Sequence, residues 1–267
     1  MSSPAHADEL AFVRAFVDDA VELVRGLRAD GFRTETKPDR SLVTTADHEV
    51  NRRFIDAVAS TFGDDRVLGE EESREAAGPR TWVIDPIDGT EQFVLGIPTS
   101  MIAVALCDAA GQPIVATAAN PATRETYWAV RGHGAHRDGV RLRVSDRNGV
   151  TAPAIVRASG PPATEASVHS DGLVRMATAD APEVVPVWFP WPSAFSGCKV
   201  AEGSWDADLY GHIGAWDVAA TALLVTEAGG RATDRYGRDQ RYDGPVDGCV
   251  LSNGLVHDAI VERWTSA

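Results

Sequence analysis

The sequence has few cysteines, no long apolar run and little positive charge. Its three cysteines, Cys107, Cys198 and Cys249, are odd in number and show no C-x-x-C spacing. Such cysteines fit reduced thiols in a core better than a disulfide framework, so we expect a cytoplasmic protein. No stretch approaches the ~18 consecutive apolar residues of a membrane-spanning helix. Residues 1–9 are polar and acidic, which predicts no signal peptide and no membrane partner.

The charge balance narrows the classes of partner. The 25 lysines and arginines are outnumbered by 39 aspartates and glutamates, which gives a formal net charge of −14. A chain this acidic repels a phosphate backbone, so we expect no nucleic-acid partner. An anionic small substrate would need a cation to reverse the local field, and a metal ion is the obvious candidate. With 267 residues, the chain has the length of one large domain or two fused halves.

Apolar residues recur at helical spacing in several segments, most clearly at 9–27 and 47–62. Side-chain oxygens of Thr44, Thr45 and Asp47 can cap the start of the second segment. Further helices are expected near 167–178, at 216–228 and at 255–264.

Short segments rich in β-branched and aromatic residues predict strands at 66–69, 81–84, 101–107, 113–119, 126–130, 140–144, 154–158 and 249–251. Gly132 and Gly134 mark a turn between two of them. The chain is therefore predicted to be α+β, rich in strands up to about residue 148 and mixed afterwards. We expect two halves, residues 1–147 and residues 148–267.

The motif with the clearest chemical content is Asp-Pro-Ile-Asp-Gly-Thr at residues 85–90, which ends a predicted buried strand. Pro86 fixes one backbone angle and Gly89 permits a tight turn, so two carboxylates and free N–H groups can face one point. Carboxylate oxygens suit a hard divalent cation, and N–H groups suit phosphate oxygens. Taken alone, the motif also fits an acidic turn with a capping aspartate.

Two further acidic segments accompany this motif. Glu70, Glu71 and Glu72 follow a short predicted strand, and Asp217 stands at the start of an apolar helix. A run of glutamates is by itself typical of a solvated face, and an aspartate at a helix start is typical of a cap. Their presence together with the motif at 85–90 favours a common metal site.

In this order the segments resemble the inositol monophosphatase superfamily of magnesium-dependent phosphatases. The resemblance covers nearly the whole chain, and so many matching blocks make a chance match untenable. The blocks are Lys37, 42–47 (Leu-Val-Thr-Thr-Ala-Asp), 68–71 (Leu-Gly-Glu-Glu), 82–90, 120–121 (Asn-Pro), 132–135 (Gly-His-Gly-Ala), 216–219 (Trp-Asp-Val-Ala) and 226–230 (Thr-Glu-Ala-Gly-Gly).

The resemblance implies a metal-ligand set. Glu70, Asp85, Asp88 and Asp217 would be side-chain ligands of two or three Mg²⁺ ions, and the carbonyl of Ile87 would be a further ligand. The N-terminal half would carry most of these ligands. The C-terminal half would carry the last aspartate and the elements that determine substrate specificity.

The resemblance also implies how the phosphate and the water are held. Asp88, Gly89 and Thr90 would bind phosphate oxygens, and Glu70, Asp47 and Thr90 would orient and activate the attacking water. A metal-activated water would attack the phosphorus directly, without a covalent intermediate. The implied fold is the layered αβαβα sandwich of the inositol monophosphatase and fructose-1,6-bisphosphatase type, assembled as a homodimer.

Other classes of protein fit the residues less well. Phosphatases of the haloacid-dehalogenase type carry aspartates two residues apart, whereas Asp85 and Asp88 are three apart. Gly132 and Gly134 lack the third glycine and the following helix of a dinucleotide-binding loop. No histidine pair has the spacing of a zinc site. A non-catalytic metal- or phosphate-binding protein of the same fold is the alternative from a different class, although every implied ligand is present.

The region before Asp217 departs from the inositol-hydrolysing members, which carry a substrate-contacting glutamate seven residues before the last metal-binding aspartate. Here Tyr210 stands at that position. A tyrosine cannot accept two hydrogen bonds from hydroxyl groups as a carboxylate does, although it can stack on a substrate. Asp206 and Asp208 could partly replace the missing carboxylate.

Two other segments resemble the histidinol-phosphate phosphatase branch, at 198–203 (Cys-Lys-Val-Ala-Glu-Gly) and 252–258 (Ser-Asn-Gly-Leu-Val-His-Asp). The first also resembles the branch that acts on 3′-phosphorylated nucleotides. Trp188 and Trp191 could form a wall against a planar ring, although a core strand followed by a turn also fits them.

We therefore expect a Mg²⁺-dependent phosphomonoesterase that acts on a small-molecule phosphate monoester. Histidinol phosphate is the first candidate substrate, nucleoside monophosphates the second, and inositol or sugar phosphates the third.

Overall fold

The acidic motif at residues 85–90 begins inside a buried strand and continues into a short helix. The structure, a computed structural model, describes residues 6–147, 156–159, 173–174, 185–186 and 191–265. Its helices are α1 (Ala7–Asp30), α2 (Thr45–Thr61), α3 (Thr90–Leu95), α4 (Ser193–Ala201), α5 (Ala215–Glu227) and α6 (His257–Thr265). Over this part of the chain, no helix has the length and apolar character needed to span a bilayer.

The strands form two sheets and two small ribbons. One ribbon pairs β1 (Thr34–Thr36) with β2 (Leu42–Thr44). The large sheet holds, in spatial order, β3 (Arg66–Gly69), β4 (Thr81–Asp88), β5 (Met101–Cys107), β6 (Pro113–Ala119), β7 (Thr126–Val130), β8 (Gly134–Arg137) and β9 (Val140–Arg141). The second ribbon pairs β11 (Leu173–Val174) with β12 (Val185–Pro186). The small sheet holds, in spatial order, β10 (Val156–Ser159), β13 (Ala207–Tyr210), β15 (Cys249–Ser252) and β14 (Arg231–Thr233).

Helices α1 and α2 cover one face of the large sheet. Successive side chains of a strand point to opposite faces, so alternate residues of β4 and β5 contact this helical layer. Trp82 and Ile84 of β4 lie there, in one cluster with Val17 of α1 and Phe54 of α2. The apolar face predicted for each helix is the face that is buried.

The opposite face of the large sheet packs against α5. Val83 of β4 and Ala105 of β5 belong to this second cluster, together with Val218 and Leu224 of α5. Helices α4 and α5 also contact the small sheet, and α6 covers the far side of that sheet through Ile260. The order of layers is therefore helix, sheet, helix, sheet, helix, which confirms the predicted αβαβα sandwich.

Gly197 lets α4 lie close to α5. A Cβ at this position would come within 2.6 Å of the Cβ of Thr221, a distance that real side chains do not adopt. The glycine lowers the intrinsic helix propensity of α4 by about 1 kcal/mol relative to alanine. Close packing of the two helices therefore outweighs local preference, and this packing places the start of α4 beside the carboxylate of Asp88.

Most predicted elements are confirmed. Strands β3, β5, β6 and β7 have the predicted bounds, and α1, α2, α5, α6 and β15 occur where apolar spacing predicted them. The Gly-His-Gly segment is a turn between β7 and β8, as predicted. Its shape is held by the carboxylate of Glu227, which accepts the N–H groups of Gly132 at 2.8 Å and Gly134 at 2.7 Å.

Some predictions were wrong or incomplete. The strand predicted at 140–144 ends at Arg141, because only two residues find a partner on β8. The helix expected near 167–178 falls mostly outside the described residues, but Leu173–Val174 within it is a strand paired with Val185–Pro186. Residues 154–155 of another predicted strand also lie outside. The sequence did not predict the helices α3 and α4 or the strands β1, β2, β8, β12, β13 and β14.

Candidate metal centre

The end of β4 turns two aspartates towards the same point. The pairing of β4 with β5 shifts register between Asp85 and Asp88, and Pro86, which has no N–H to donate, lies inside the shift. Gly89 follows with φ of 82°, a conformation that favours glycine, and a Cβ there would collide with the ring of Pro192. The proline and the glycine of the motif together allow the chain to leave β4 directly after Asp88.

Three carboxylates from two distant segments meet at this point. One oxygen each of Asp85, Asp88 and Asp217 lies within 4.8 Å of the others. Asp217 is in the first turn of α5, where its carboxylate accepts the N–H of Gly214 at 2.6 Å. The sequence predicted that these three aspartates share one metal site, and the structure brings their carboxylates together.

The donor set fits a hard divalent cation. All the side-chain ligands are oxygens, as Mg²⁺ and Ca²⁺ prefer. Oδ1 of Asp85 is buried, and among the described residues it has no hydrogen-bond partner. A buried polar atom without a partner costs about 1–3 kcal/mol, so the folded protein gains by placing a cation against this oxygen.

Burial changes the acidity of the cluster. Burial is the main reason that the pKa values of Asp85 and Asp217 lie well above the usual range, and the charges of neighbouring carboxylates raise them further. Burial also raises the pKa of Asp88 to about 7, although hydrogen bonds from Ala194 and Ser193 oppose the shift. A cation at this point would favour the charged carboxylates, so its binding would be coupled to proton release from the cluster.

Asp47 and Thr90 form a second group beside the cluster. Asp47 is buried in the first turn of α2, where Oδ2 accepts the N–H of Thr44 at 2.8 Å. Its other oxygen, Oδ1, lies 3.0 Å from the hydroxyl of Thr90, and that hydroxyl is also 3.1 Å from the carbonyl of Ile87. Burial is the main cause that raises the pKa of Asp47. A threonine hydroxyl is thus held by a buried carboxylate.

Glu70 lies at the edge of the cluster and is paired with a cation of the protein. Its carboxylate is 2.8 Å from Nζ of Lys37, which is also 2.5 Å from Glu71. Burial raises the pKa of Glu70, and Lys37 opposes the shift. The charge of Glu70 is the second cause, after burial, of the raised pKa of Asp85. Lys37 therefore already balances part of the negative charge.

Helix α4 supplies contacts that the sequence did not predict. Ser193 donates its N–H at 3.2 Å and its hydroxyl at 3.0 Å to Oδ1 of Asp88, and the N–H of Ala194 donates to Oδ2 at 2.6 Å. The hydroxyl of Ser193 also lies 3.4 Å from Asp217. The start of this helix carries no usual capping signal, since its N-cap residue is Pro192, which provides no side-chain hydrogen bond.

A cavity of about 270 Å³ opens next to the cluster. Trp191 forms part of its wall, and the indole stacks on Phe195 with ring centroids 5.2 Å apart and ring planes 10° apart. Trp188, the other predicted aromatic contact, lies outside the described residues. The lining residues are Asp88, Gly89, Gln92, Trp191, Pro192, Ser193, Tyr210, His212, Ile213 and Asp217.

Two of the residues predicted to contact the substrate do not present their polar groups to this cavity. Asp206 is fully buried, does not line the cavity, and accepts hydrogen bonds from Ser145 at 2.5 Å and Arg147 at 2.6 Å. Tyr210 borders the cavity but is itself fully buried, with its hydroxyl bonded to interior groups. Since Asp206 and the Tyr210 hydroxyl have interior partners, this arrangement argues against substrate contacts by either group.

Comparison with known proteins gives the family. The family model described as "Inositol monophosphatase family" matches residues 7–266. The chain is 33% identical to a histidinol-phosphatase of Streptomyces coelicolor over 97% of both chains. It is 35% identical to a histidinol-phosphatase of Mycobacterium tuberculosis, over 96% of this chain and 97% of that one. An IMPase structure from Thermotoga maritima superposes with a TM-score of 0.81 at 28% identity, over 97% of both chains. Sequence, fold and carboxylate cluster agree, and the chain belongs to the inositol monophosphatase family.

Proposed function

We propose that this protein is a Mg²⁺-dependent phosphomonoesterase whose substrate is histidinol phosphate. Membership of the family makes it a metal-dependent phosphoric monoester hydrolase. The observation that carries the proposal is the cluster of the buried Asp85 and Asp88 with the half-buried Asp217, in which an oxygen of Asp85 lacks a partner among the described residues. A phosphate dianion could not approach these carboxylates unless a cation reversed their charge.

The metal ligands in this proposal are Glu70, Asp85, Asp88 and Asp217, together with the carbonyl of Ile87, and they hold two or three Mg²⁺ ions. Bound Mg²⁺ supplies positive charge that neutralises the phosphate and lowers the pKa of water. The charges of Glu70, Asp88 and Asp217 all contribute to the raised pKa of Asp85, so the side chains that would hold the ions lie close enough to interact.

The phosphate is proposed to bind at Asp88, Gly89 and Thr90, where the chain leaves β4 and enters α3. The N–H groups in the first turn of a helix have no partner within that helix, so they suit phosphate oxygens. Thr90 is positioned to accept a proton from the attacking water while its own hydroxyl proton passes to Oδ1 of Asp47, 3.0 Å away. Burial raises the pKa of Asp47, so its carboxylate is a better proton acceptor than an exposed aspartate. Glu70 is proposed to orient the same water.

The leaving group is proposed to occupy the cavity beside Trp191. Among the described lining residues, the carboxylates are Asp88 and Asp217, and both belong to the metal cluster. The remaining wall offers an indole and the side chains of Gln92 and His212, which suit a planar ring better than a polyol. Imidazole is the first choice, because relatives named histidinol-phosphatase match nearly the whole chain. A nucleobase of a nucleoside monophosphate fits the same wall and is the second candidate.

Assembly and compartment follow as further parts of the proposal. A homodimer is supported by Leu95 and Ile97, which are 65% and 43% exposed beside a groove of about 250 Å³ between α1 and α3. A cytoplasmic location is supported by the three cysteines, which are buried and unpaired. We also propose that residues 1–147 and 148–267 are the two halves of the molecule.

The test is phosphate release from a panel of monoesters, measured on metal-stripped protein with and without added Mg²⁺. The panel holds histidinol phosphate, 5′- and 3′-nucleotides, inositol 1-phosphate, and sugar mono- and bisphosphates. We expect release only with Mg²⁺ and kcat/KM for histidinol phosphate at least a hundredfold above the other compounds. A higher kcat/KM for another compound would replace the substrate, and full turnover after chelation would overturn the metal dependence. Mg²⁺ binding without any turnover would favour a non-catalytic binding protein.

A further inference from the structure

The hydroxyl of Tyr210 joins two elements that border the metal cluster. The side chain is fully buried at the end of β13. Its hydroxyl oxygen lies 3.0 Å from the carbonyl of Ser193 and 2.9 Å from the hydroxyl of Ser196, both in α4. It also lies 2.9 Å from Oδ2 of Asp208 in β13. One phenol proton can serve the carbonyl or the carboxylate, and its lone pairs can accept from Ser196.

The first turn of α4, which Tyr210 contacts on one side, contacts the metal-binding carboxylates on the other. The N–H groups of Ser193 and Ala194 and the hydroxyl of Ser193 donate to both oxygens of Asp88. The hydroxyl of Ser193 also reaches Asp217 at 3.4 Å. A continuous path of hydrogen bonds therefore runs from Tyr210 through Ser193 to two of the three clustered aspartates.

The start of α4 has little else to fix it locally. Its N-cap residue is Pro192, which provides no side-chain hydrogen bond, so the carboxylate of Asp88 takes the place of a cap. If the start of the helix moved, the carboxylate bonded to it would move as well and would lose the orientation that a cation requires. Groups behind the ligands commonly set this orientation, and their removal typically costs about 10–100-fold in metal affinity.

We propose that Tyr210 is a positioning residue, which fixes the first turn of α4 against Asp88 and Asp217 and thereby sets the affinity of the site for its divalent cation. This inference rests on the proposed function, because it takes these aspartates as metal ligands. It gives Tyr210 a role that does not require contact with the substrate, in agreement with its buried hydroxyl.

Tyr210→Phe tests the proposal, with Tyr127→Phe as the matched control. Tyr127 is also buried, and its hydroxyl donates to Glu202 at 3.0 Å, at the opposite end of α4. Binding of Mg²⁺ to the metal-stripped, substrate-free protein is measured by calorimetry, and thermal unfolding is recorded for each variant. We expect Tyr210→Phe to bind Mg²⁺ about tenfold more weakly and Tyr127→Phe to bind within twofold of the parent protein.

A purely structural role predicts something else, namely that both variants lose stability while Mg²⁺ affinity stays the same. Unchanged affinity in a folded Tyr210→Phe protein, or an equal loss in both variants, overturns the proposal. Kinetics at saturating Mg²⁺ add a second check. A positioning role leaves the ratio of KM values among substrates unchanged, whereas a rise of KM for one leaving group alone would indicate direct contact and overturn the proposal.

Ser193 provides the second test if Tyr210→Phe does not fold. Ser193→Ala removes the hydroxyl that bonds Asp88, and Ser193→Thr keeps a hydroxyl at the same position. We expect weaker Mg²⁺ binding for the alanine variant and recovery in the threonine variant; parental affinity in the alanine variant overturns the proposal. If the parent protein itself neither binds Mg²⁺ nor releases phosphate, the proposed function fails. If the parent does both, only the positioning role is at stake.

Discussion

At the proposed phosphate end of the cavity, Asp85 and Asp88 come from one short motif, and local chain geometry presents them together. At the proposed leaving-group end, Trp191 and Tyr210 line the same cavity but come from different segments, Trp191 just before α4 and Tyr210 at the end of β13. At the first end, Oδ1 of Asp85 is buried without a hydrogen-bond partner among the described residues. The second end satisfies its polar groups internally, as the hydroxyl of Tyr210 shows.

This difference shows how one fold can keep its chemistry while its substrate changes. In the proposed metal site, replacing any of the three aspartates would remove a ligand, because an oxygen of each lies near the same point. The residues around the leaving group can vary as long as α4 remains in place. A change at the phosphate end should therefore alter kcat for every substrate, whereas a change at the leaving-group end should alter KM for some.

Replacement of Asp88 gives the largest expected effect. Asp88→Asn removes one negative charge and one ligand, and we expect kcat to fall at least ~10³-fold for all substrates, equivalent to about 4 kcal/mol. Phosphate release under saturating Mg²⁺ measures the effect. Asp65→Asn is the control, because Asp65 is a buried carboxylate bonded to Arg80 and Trp82 outside the cluster. A fall below tenfold would remove Asp88 from the metal site.

The second prediction concerns stability and pH in the absence of metal. The pKa of Asp88 is about 7 in the folded protein, against an ordinary value of 3.8, so the folded state binds more protons than the unfolded state between these values. Stability contributed by this group is therefore lost as pH rises from about 4 to 7. The scale is about 1.4 kcal/mol per pKa unit.

Urea unfolding at several pH values, with EDTA and with Mg²⁺, measures this slope. The parent protein should become less stable than Asp88→Asn as pH rises, and Mg²⁺ should reverse the order. Burial lowers the pKa of His257 to about 4, so this residue makes stability rise with pH. Its contribution is the same in both proteins and cancels when they are compared. Equal slopes in both proteins would show that Asp88 is not protonated in the metal-free state.

A smaller effect is expected at Asp206, and the experiment distinguishes a structural role of this residue from contact with the substrate. Asp206→Asn weakens charged hydrogen bonds from Arg147 and Ser145, and we expect a loss of about 1–3 kcal/mol in unfolding free energy. KM should remain within twofold of the parent value. If KM instead rises severalfold while stability is kept, Asp206 contacts the substrate after all.

The smallest expected effect is at the aromatic wall. Trp191→Ala should raise KM about two- to tenfold for a leaving group with a planar ring, since stacking contributes about 0.5–1.5 kcal/mol. KM for glycerol 2-phosphate, which has no ring, should hardly change. Trp128→Ala is the control, because Trp128 stacks on His136 at 4.2 Å, away from the cavity lining. An unchanged KM for every substrate would mean that no ring binds there.

Much of the fold could be predicted because its longer elements carry their own pattern. The strand at Met101–Cys107 is a continuous apolar run between turns, and α5 is an apolar helix closed by glycines. Helix α4 could not be predicted in this way, since it has nine residues, a central Gly197 and a start fixed by Asp88. Its position depends on contacts with residues about a hundred positions earlier in the chain.

The sequence alone determined the kind of chemistry and predicted the carboxylates proposed to perform it, because their identities and order form a pattern that local geometry supports. Only the tertiary structure decided what surrounds them. It turned the hydroxyl of Tyr210 inward, paired Asp206 with Arg147 and brought Ser193 to Asp88. The physical reason is that a buried polar group must find its partner wherever packing provides one, and sequence spacing does not show which side chains packing will bring within 3 Å.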